Sequence, residues 1–176
     1  MSEIATPSQT VGPFFHIGLE RISRNDLTDG NAQSVRISGQ VLDGDGKPVI
    51  DALIEIWQAD RDGNYRSDFN GYGRVATDAG GAFSFTTIKP GRVPDANGKM
   101  QAPHIAVNVF MRGLLKHLVT RVYFPGEPSN DTDGILQSVP AARRDTLIAA
   151  PIAGGAQDLV WNIVLQGERE SVFFDC

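Results

Sequence analysis

Nineteen glycines and ten prolines recur at short intervals along the whole sequence. They leave room only for short segments between turns, and most of those segments alternate apolar and polar residues, the signature of a half-buried antiparallel sheet. In residues 35–41, Val35, Ile37 and Val41 fall on one face. Residues 52–57 form the next expected strand, with Leu53 and the Trp57 ring on opposite sides of the sheet. Phe83 and Phe85 share a side in 82–86. The pattern repeats in 105–109 and 118–124, becomes a well-buried run in 159–165, and ends in 172–174, which closes the sheet. Residues 43–48 carry turn chemistry, with Asp, Gly, Lys and Pro in succession. The expected fold is therefore all-β: a two-layer antiparallel β-sandwich over 35–176, preceded by an extended N-terminal arm, 1–34, and containing long loops. Residues 125–139 read as a long loop. One short helix is expected at 140–147, where proline suits the first turn.

The remaining totals narrow the class. A chain of 176 residues with 41% hydrophobic and 21% charged residues is the length of one domain that needs no staples. The net charge of -5 and the lack of a Lys/Arg-rich run argue against nucleic acid and against an anionic membrane as partners. Cys176 is the single cysteine and can form no internal disulfide. The first ten residues lack the basic start and apolar stretch of a signal peptide. A cytoplasmic location is expected from this.

Several apparent motifs fail on context. Residues 71–76 have the spacing of a dinucleotide loop, but a turn at 77–81 follows where a helix is required. Residues 129–134 imitate the start of a calcium loop, yet Pro140 stands where a bidentate carboxylate is needed, so the segment reads as a solvated acidic loop. Asp43 and Asp45 fail the same test at Ile54. His16, His104 and His117 show no metal-ligand spacing and read as structural residues. Trp57 and Trp161 read as core, and Gly71, Gly73 and Gly91 as turn residues.

One stretch is far more specific. Ile37-Ser-Gly-Gln-Val41, then Gly46, Val49, Ile54-Glu-Ile56 and Gly63-Asn-Tyr65 follow a fixed spacing. With Ile88-Lys-Pro-Gly91, Ala102-Pro-His-Ile105 and residues 117–124, this resembles the signature of intradiol ring-cleavage dioxygenases, over about residues 6–175. The resemblance implies a sandwich in which two tyrosinates and two histidines hold a non-haem Fe(III), a hard cation suited to phenolate and imidazole. On that mapping this chain keeps Tyr65 and His104 but carries Val93 and Ala106 at the other two ligand positions. Gln101 replaces the family's arginine. The resemblance thus implies no cofactor and no catalytic residue in this chain, with Tyr65 and His104 as hydrogen-bonded remnants of a filled pocket.

Segments 6–18 and 166–175 resemble the iron-free alpha chains of the family's two-chain members. That likeness implies a homologous, Fe(III)-bearing beta subunit as partner, and a small aromatic acid, 3,4-dihydroxybenzoate, with O2 as substrates. It assigns substrate contact to Arg112 and a site wall to Thr10, Gly12 and Pro13. A guanidinium suits a substrate carboxylate. From the residues alone, Arg112 reads first as the partner of a surface carboxylate. His16 and Arg121 are read as structural or interface residues. Two other readings stay open: a non-catalytic carrier of small aromatic acids, and a purely structural assembly subunit.

Overall fold

The computed structural model describes residues 7–28, 33–65, 68–154 and 157–175. Residues 1–6, which include Thr6, and Cys176 lie outside them. The strands are β1 (Val35–Leu42), β2 (Leu53–Trp57), β3 (Tyr72–Ala76), β4 (Ala82–Thr87), β5 (His104–Phe110), β6 (Leu118–Tyr123), β7 (Ala150–Pro151), β8 (Asp158–Val160) and β9 (Ile163–Val164). One sheet runs β4-β1-β8-β7, with β9 also on β1, and the other runs β3-β2-β5-β6.

The alternation read from the sequence sets the inner faces. Ile37 and Val41 of β1 and Phe83 and Phe85 of β4 meet Ile54, Ile56, Ile105, Val107, Val109 and Val122 of the other sheet in one buried cluster. Each such side chain contributes about 1.5–3 kcal/mol on burial. Trp161 belongs to this core, and its indole N–H donates to Thr146 O at 2.8 Å.

The turns share a device. Asp43, Asp60, Asp78 and Asp95 each accept backbone N–H bonds from the residues two and four places on, at 2.8–3.0 Å. The carboxylate thereby replaces backbone acceptors across the bend.

The structure corrects several expectations. The sandwich is not wholly antiparallel, because β8 and β9 run parallel to β1. The expected strand 159–165 is interrupted at Trp161 and Asn162, although its register on β1 is the same on both sides. There the Asn162 side chain, not the backbone, accepts the Gln40 N–H at 3.0 Å. Leu53 and Trp57 share one face of β2 with Glu55, as a period of two demands, while Ile54 and Ile56 face the core. Trp57 lies on the outer face and is 44% exposed, so it is not a core residue. Gly73 is no turn residue: it sits inside β3, where an added Cβ would meet Leu27 Cδ1 at 2.9 Å.

The arm is not extended throughout. Pro13–Glu20 forms helix α1, with Gly12 at the N-cap and Pro13 opening the first turn. Its signal is weak in the sequence because no side chain caps it. The end of the arm is stitched to the sandwich: Arg24 bridges Arg74, Asp26 bridges Thr86, and Leu27 is fully buried. Residues 125–139 are not one loop. They hold a 3-10 helix, Pro128–Thr132, and helix α2, Gly134–Ser138. The helix expected at 140–147 is a 3-10 helix, Ala141–Leu147. The acidic segment is not solvated throughout either. Asp133 is fully buried and caps α2, accepting from Leu136 N at 2.8 Å.

Candidate functional site

The loops and the strand that carry the four positions marked by the family resemblance as ligand sites lie against one another. Tyr65 follows the Asp60 turn, and Val93 follows Gly91. These two loops touch at their backbones. A Cβ on Gly63 would lie 2.1 Å from Arg92 O, and one on Gly91 would lie 2.4 Å from Arg61 O. Gly63 also has φ 82°. Only glycine satisfies both demands there. Gln101 N then donates to Val93 O at 2.8 Å, which leads the chain into β5 with His104 and Ala106.

Pairing across the sheet places Trp57, Ala106 and Arg121 in one row on the outer face. The Tyr65 ring stacks on Trp57 at 5.8 Å and 9°. Tyr65 remains 41% exposed, so the former pocket is not closed over it as expected. Burial pushes its phenol pKa up, and the Arg121 charge opposes that shift.

His104 is buried beside Tyr123, with ring centroids 5.7 Å apart. Its Nδ1 donates to Ala102 O at 2.8 Å, leaving the lone pair on Nε2. Burial, and next the Arg121 charge, push its pKa below the usual histidine range. Arg121 Nη1 donates to Gln101 Oε1 at 2.7 Å, and its charge acts on the Tyr123 hydroxyl. That hydroxyl donates to Asp133 Oδ1 at 3.2 Å. Asp133 Oδ2 in turn accepts from Ala102 N at 2.7 Å.

These residues do not fit a ferric ion. Tyr65 and His104 could each offer one donor, Val93 and Ala106 offer none, and Arg121 adds a positive charge beside the two that remain. Among the described residues, no three His, Cys, Asp or Glu side chains converge on a metal position.

The second set of expected residues lies at the far end of β5. That strand runs from His104 to Phe110, so the two sets are separated by roughly 20 Å of extended chain. Thr10 and Arg112 come together there. Thr10 Oγ1 accepts the Gly113 N–H at 2.7 Å. Arg112 Nε bonds Asp51 Oδ2 while the Arg112 side chain stays 64% exposed. Phe15 of α1 packs on Phe110 at 5.3 Å, and His117 stacks on the same ring at 5.1 Å. His117 is itself exposed. His16 lies on α1. A Cβ at Gly12 would meet nothing within 4 Å, so nothing within the described chain requires glycine there. The pairing of Arg112 with a surface carboxylate is the one read from the residues alone, but that the acid is Asp51, 61 positions away, has no signal in the sequence.

A dioxygenase family model matches residues 16–167. The chain is similar to the protocatechuate 3,4-dioxygenase alpha chain of Burkholderia cepacia, with 41% identity covering 97% of this chain and 96% of that one. It is also similar to the beta chain of protocatechuate 3,4-dioxygenase from the same organism, with 36% identity over 91% of this chain and 75% of that one. Among solved structures it resembles the dioxygenase domain of a carbohydrate-binding fusion protein from Streptomyces sp. SirexAA-E. There the TM-score is 0.67 and the identity 30%, over 85% of this chain and 89% of that one.

Proposed function

Because this chain belongs to the intradiol ring-cleavage dioxygenase family, we propose that it is the iron-free alpha subunit of a protocatechuate 3,4-dioxygenase. In this reading it completes the substrate site of a homologous beta subunit that carries Fe(III). The overall reaction joins 3,4-dihydroxybenzoate and O2 to give 3-carboxy-cis,cis-muconate, with the ring opened between the two hydroxyl-bearing carbons. The ferric ion of the partner supplies the activation of the catechol. The chain is cytoplasmic in this proposal. Among the described residues no helix is long and apolar enough to cross a membrane.

The observation that carries the reading is the pairing of two facts: the likeness spans almost the whole of an alpha chain, and Val93 and Ala106 stand at two of four ligand positions. This chain's part is then to bind and orient. Arg112 has its Nε held by Asp51, so its terminal nitrogens remain available to a substrate carboxylate. Thr10 fixes the arm to the Arg112 turn, and Gly12 and Pro13 form the wall beside it. Large apolar side chains lie exposed around this end: Phe14 at 83%, Ile17 at 58%, Ile22 at 60% and Leu115 at 64%. Such a patch fits a partner subunit better than solvent.

The test is metal analysis with a ring-cleavage assay, on the chain alone and after co-expression with a beta chain of the family. The chain alone should be colourless, iron-free and inactive. The complex should be red-brown and active, with one ferric ion per pair. Tight binding of the aromatic acid by the isolated chain would favour a carrier instead. Full activity of a complex altered at Thr10–Pro13 and Arg112, with unchanged KM, would leave only a structural subunit.

A further inference from the structure

We propose that Phe110 is a positioning residue for the substrate site: its ring joins the N-terminal arm to the Arg112 turn, so that both meet the substrate as one unit. The inference deepens the alpha-subunit reading above and rests on it.

Phe110 ends β5, two places before Arg112. Two rings lie against it, from segments that only the fold brings together. Phe15 of α1 packs at 5.3 Å, its plane tilted by 42°. His117, at the end of the turn after β5, stacks at 5.1 Å and 22°. The cross-strand partner of Phe110 is Leu53, which is fully buried although it faces outward with Trp57. This corner of the outer face is therefore covered, whereas Trp57 at the other end of β2 is not. The turn itself is tied on its other side, because Arg112 bonds Asp51 just ahead of β2.

The arm has little hold of its own. Helix α1 has no side-chain cap and no acidic residue in its first turn, and it exposes Phe14 and Ile17. The Thr10–Gly113 contact is a single exposed hydrogen bond. Close packing around the ring does not supply the hold either. A cleft of about 510 Å³ opens beside it, between Val11 of the arm, His117, Leu118 and Phe174. Aromatic pairs prefer particular offsets and tilts, so the contact of Phe15 with Phe110 fixes an angle as well as a distance. An aliphatic side chain of similar bulk fixes neither. A wall that occupies its place only part of the time lowers apparent affinity by that fraction. Loss of the ring should thus act on KM and spare the chemical step.

The test uses the complex co-expressed with a beta chain of the family. Phe110→Leu keeps apolar bulk and removes the ring, Phe110→Tyr keeps the ring, and Phe15→Leu alters the arm alone. Phe110→Leu should raise KM for the aromatic acid about three- to tenfold, the range set by a lost aromatic pair. Its kcat should fall by less than about twofold. Phe110→Tyr should return KM to within about twofold of the unaltered complex. Phe15→Leu should repeat the KM effect, and both leucines together should do no more than Phe110→Leu alone, because they remove the same contact. Unchanged KM in Phe110→Leu, an equal loss in kcat, or effects of the two leucines that multiply would overturn the inference. Failure of both leucine variants to assemble would overturn it too, since the rings would then build the fold and not place the wall. An unaltered complex without ring-cleaving activity would instead overturn the proposed function, so the two failures are distinct.

Discussion

Thr10 Oγ1 accepts the backbone N–H of Gly113 at 2.7 Å, across 103 residues of sequence. This bond ties the N-terminal arm to the turn that presents Arg112. Replacing Thr10 with valine keeps the shape and removes the acceptor. A single exposed hydrogen bond contributes about 0.5–1.5 kcal/mol, so the melting behaviour of the chain should change little. The KM of the assembled complex for the aromatic acid should rise several-fold, because the arm no longer holds its place. Steady-state kinetics on the complex, beside a denaturant melt of the chain, check both halves.

Arg112→Ala should raise KM more than it lowers kcat, since the lost contact acts on bound substrate and transition state alike. A charge-assisted contact of about 1.5–3 kcal/mol corresponds to roughly 10- to 150-fold in KM. Asp51→Ala should give a smaller rise in the same direction, because the guanidinium loses its anchor but keeps its charge. Unchanged kinetics for Arg112→Ala in the complex would remove that residue from the site.

Asp133→Ala should be among the most damaging single changes to stability. The carboxylate is fully buried, caps α2, and receives Ala102 N–H and the Tyr123 hydroxyl. Losing a cap and orphaning buried donors costs about 3 kcal/mol in all. Urea unfolding should show a lower midpoint with an unchanged slope. A loss under about 1 kcal/mol would mean that water replaces the carboxylate without penalty.

His104 sets an acid limb. Its folded pKa lies below the unfolded value of 6.5, owing to burial first and the Arg121 charge next. The folded state therefore prefers neutral His104. The stability is complete above the unfolded pKa and is lost as pH falls from there through the folded pKa. Unfolding followed from pH 8 downward should show this decline, and His104→Gln should flatten it. An equally steep limb in the variant would assign it to other groups. Asp26 is also held low, by its bonds to Thr28, but it acts in the lower window below 3.8.

Much of this protein was legible in the order of its residues. A period of two produced the inner faces of both sheets, because burial on one side of a pleat selects every second side chain. Glycine and proline placed the turns, and the Asp turn at 43 behaves as its composition requires. The family likeness and the substituted ligands at Val93 and Ala106 were likewise readable, because a missing donor atom is a property of the residue itself.

Other features depended on contacts between distant segments, which no local pattern encodes. Which acid pairs with Arg112, and that Arg121 lies opposite Ala106 and bonds Gln101, follow from strand register and loop docking. Helix α1 and the buried Asp133 were missed for the same reason. A short helix without a side-chain cap and a lone carboxylate look like surface features until their tertiary neighbours are in place. The sequence by itself determined the sheet faces, the turns and the incomplete donor set. Only the packed fold decided where charge sits, because electrostatic partners are chosen by proximity in space and not along the chain.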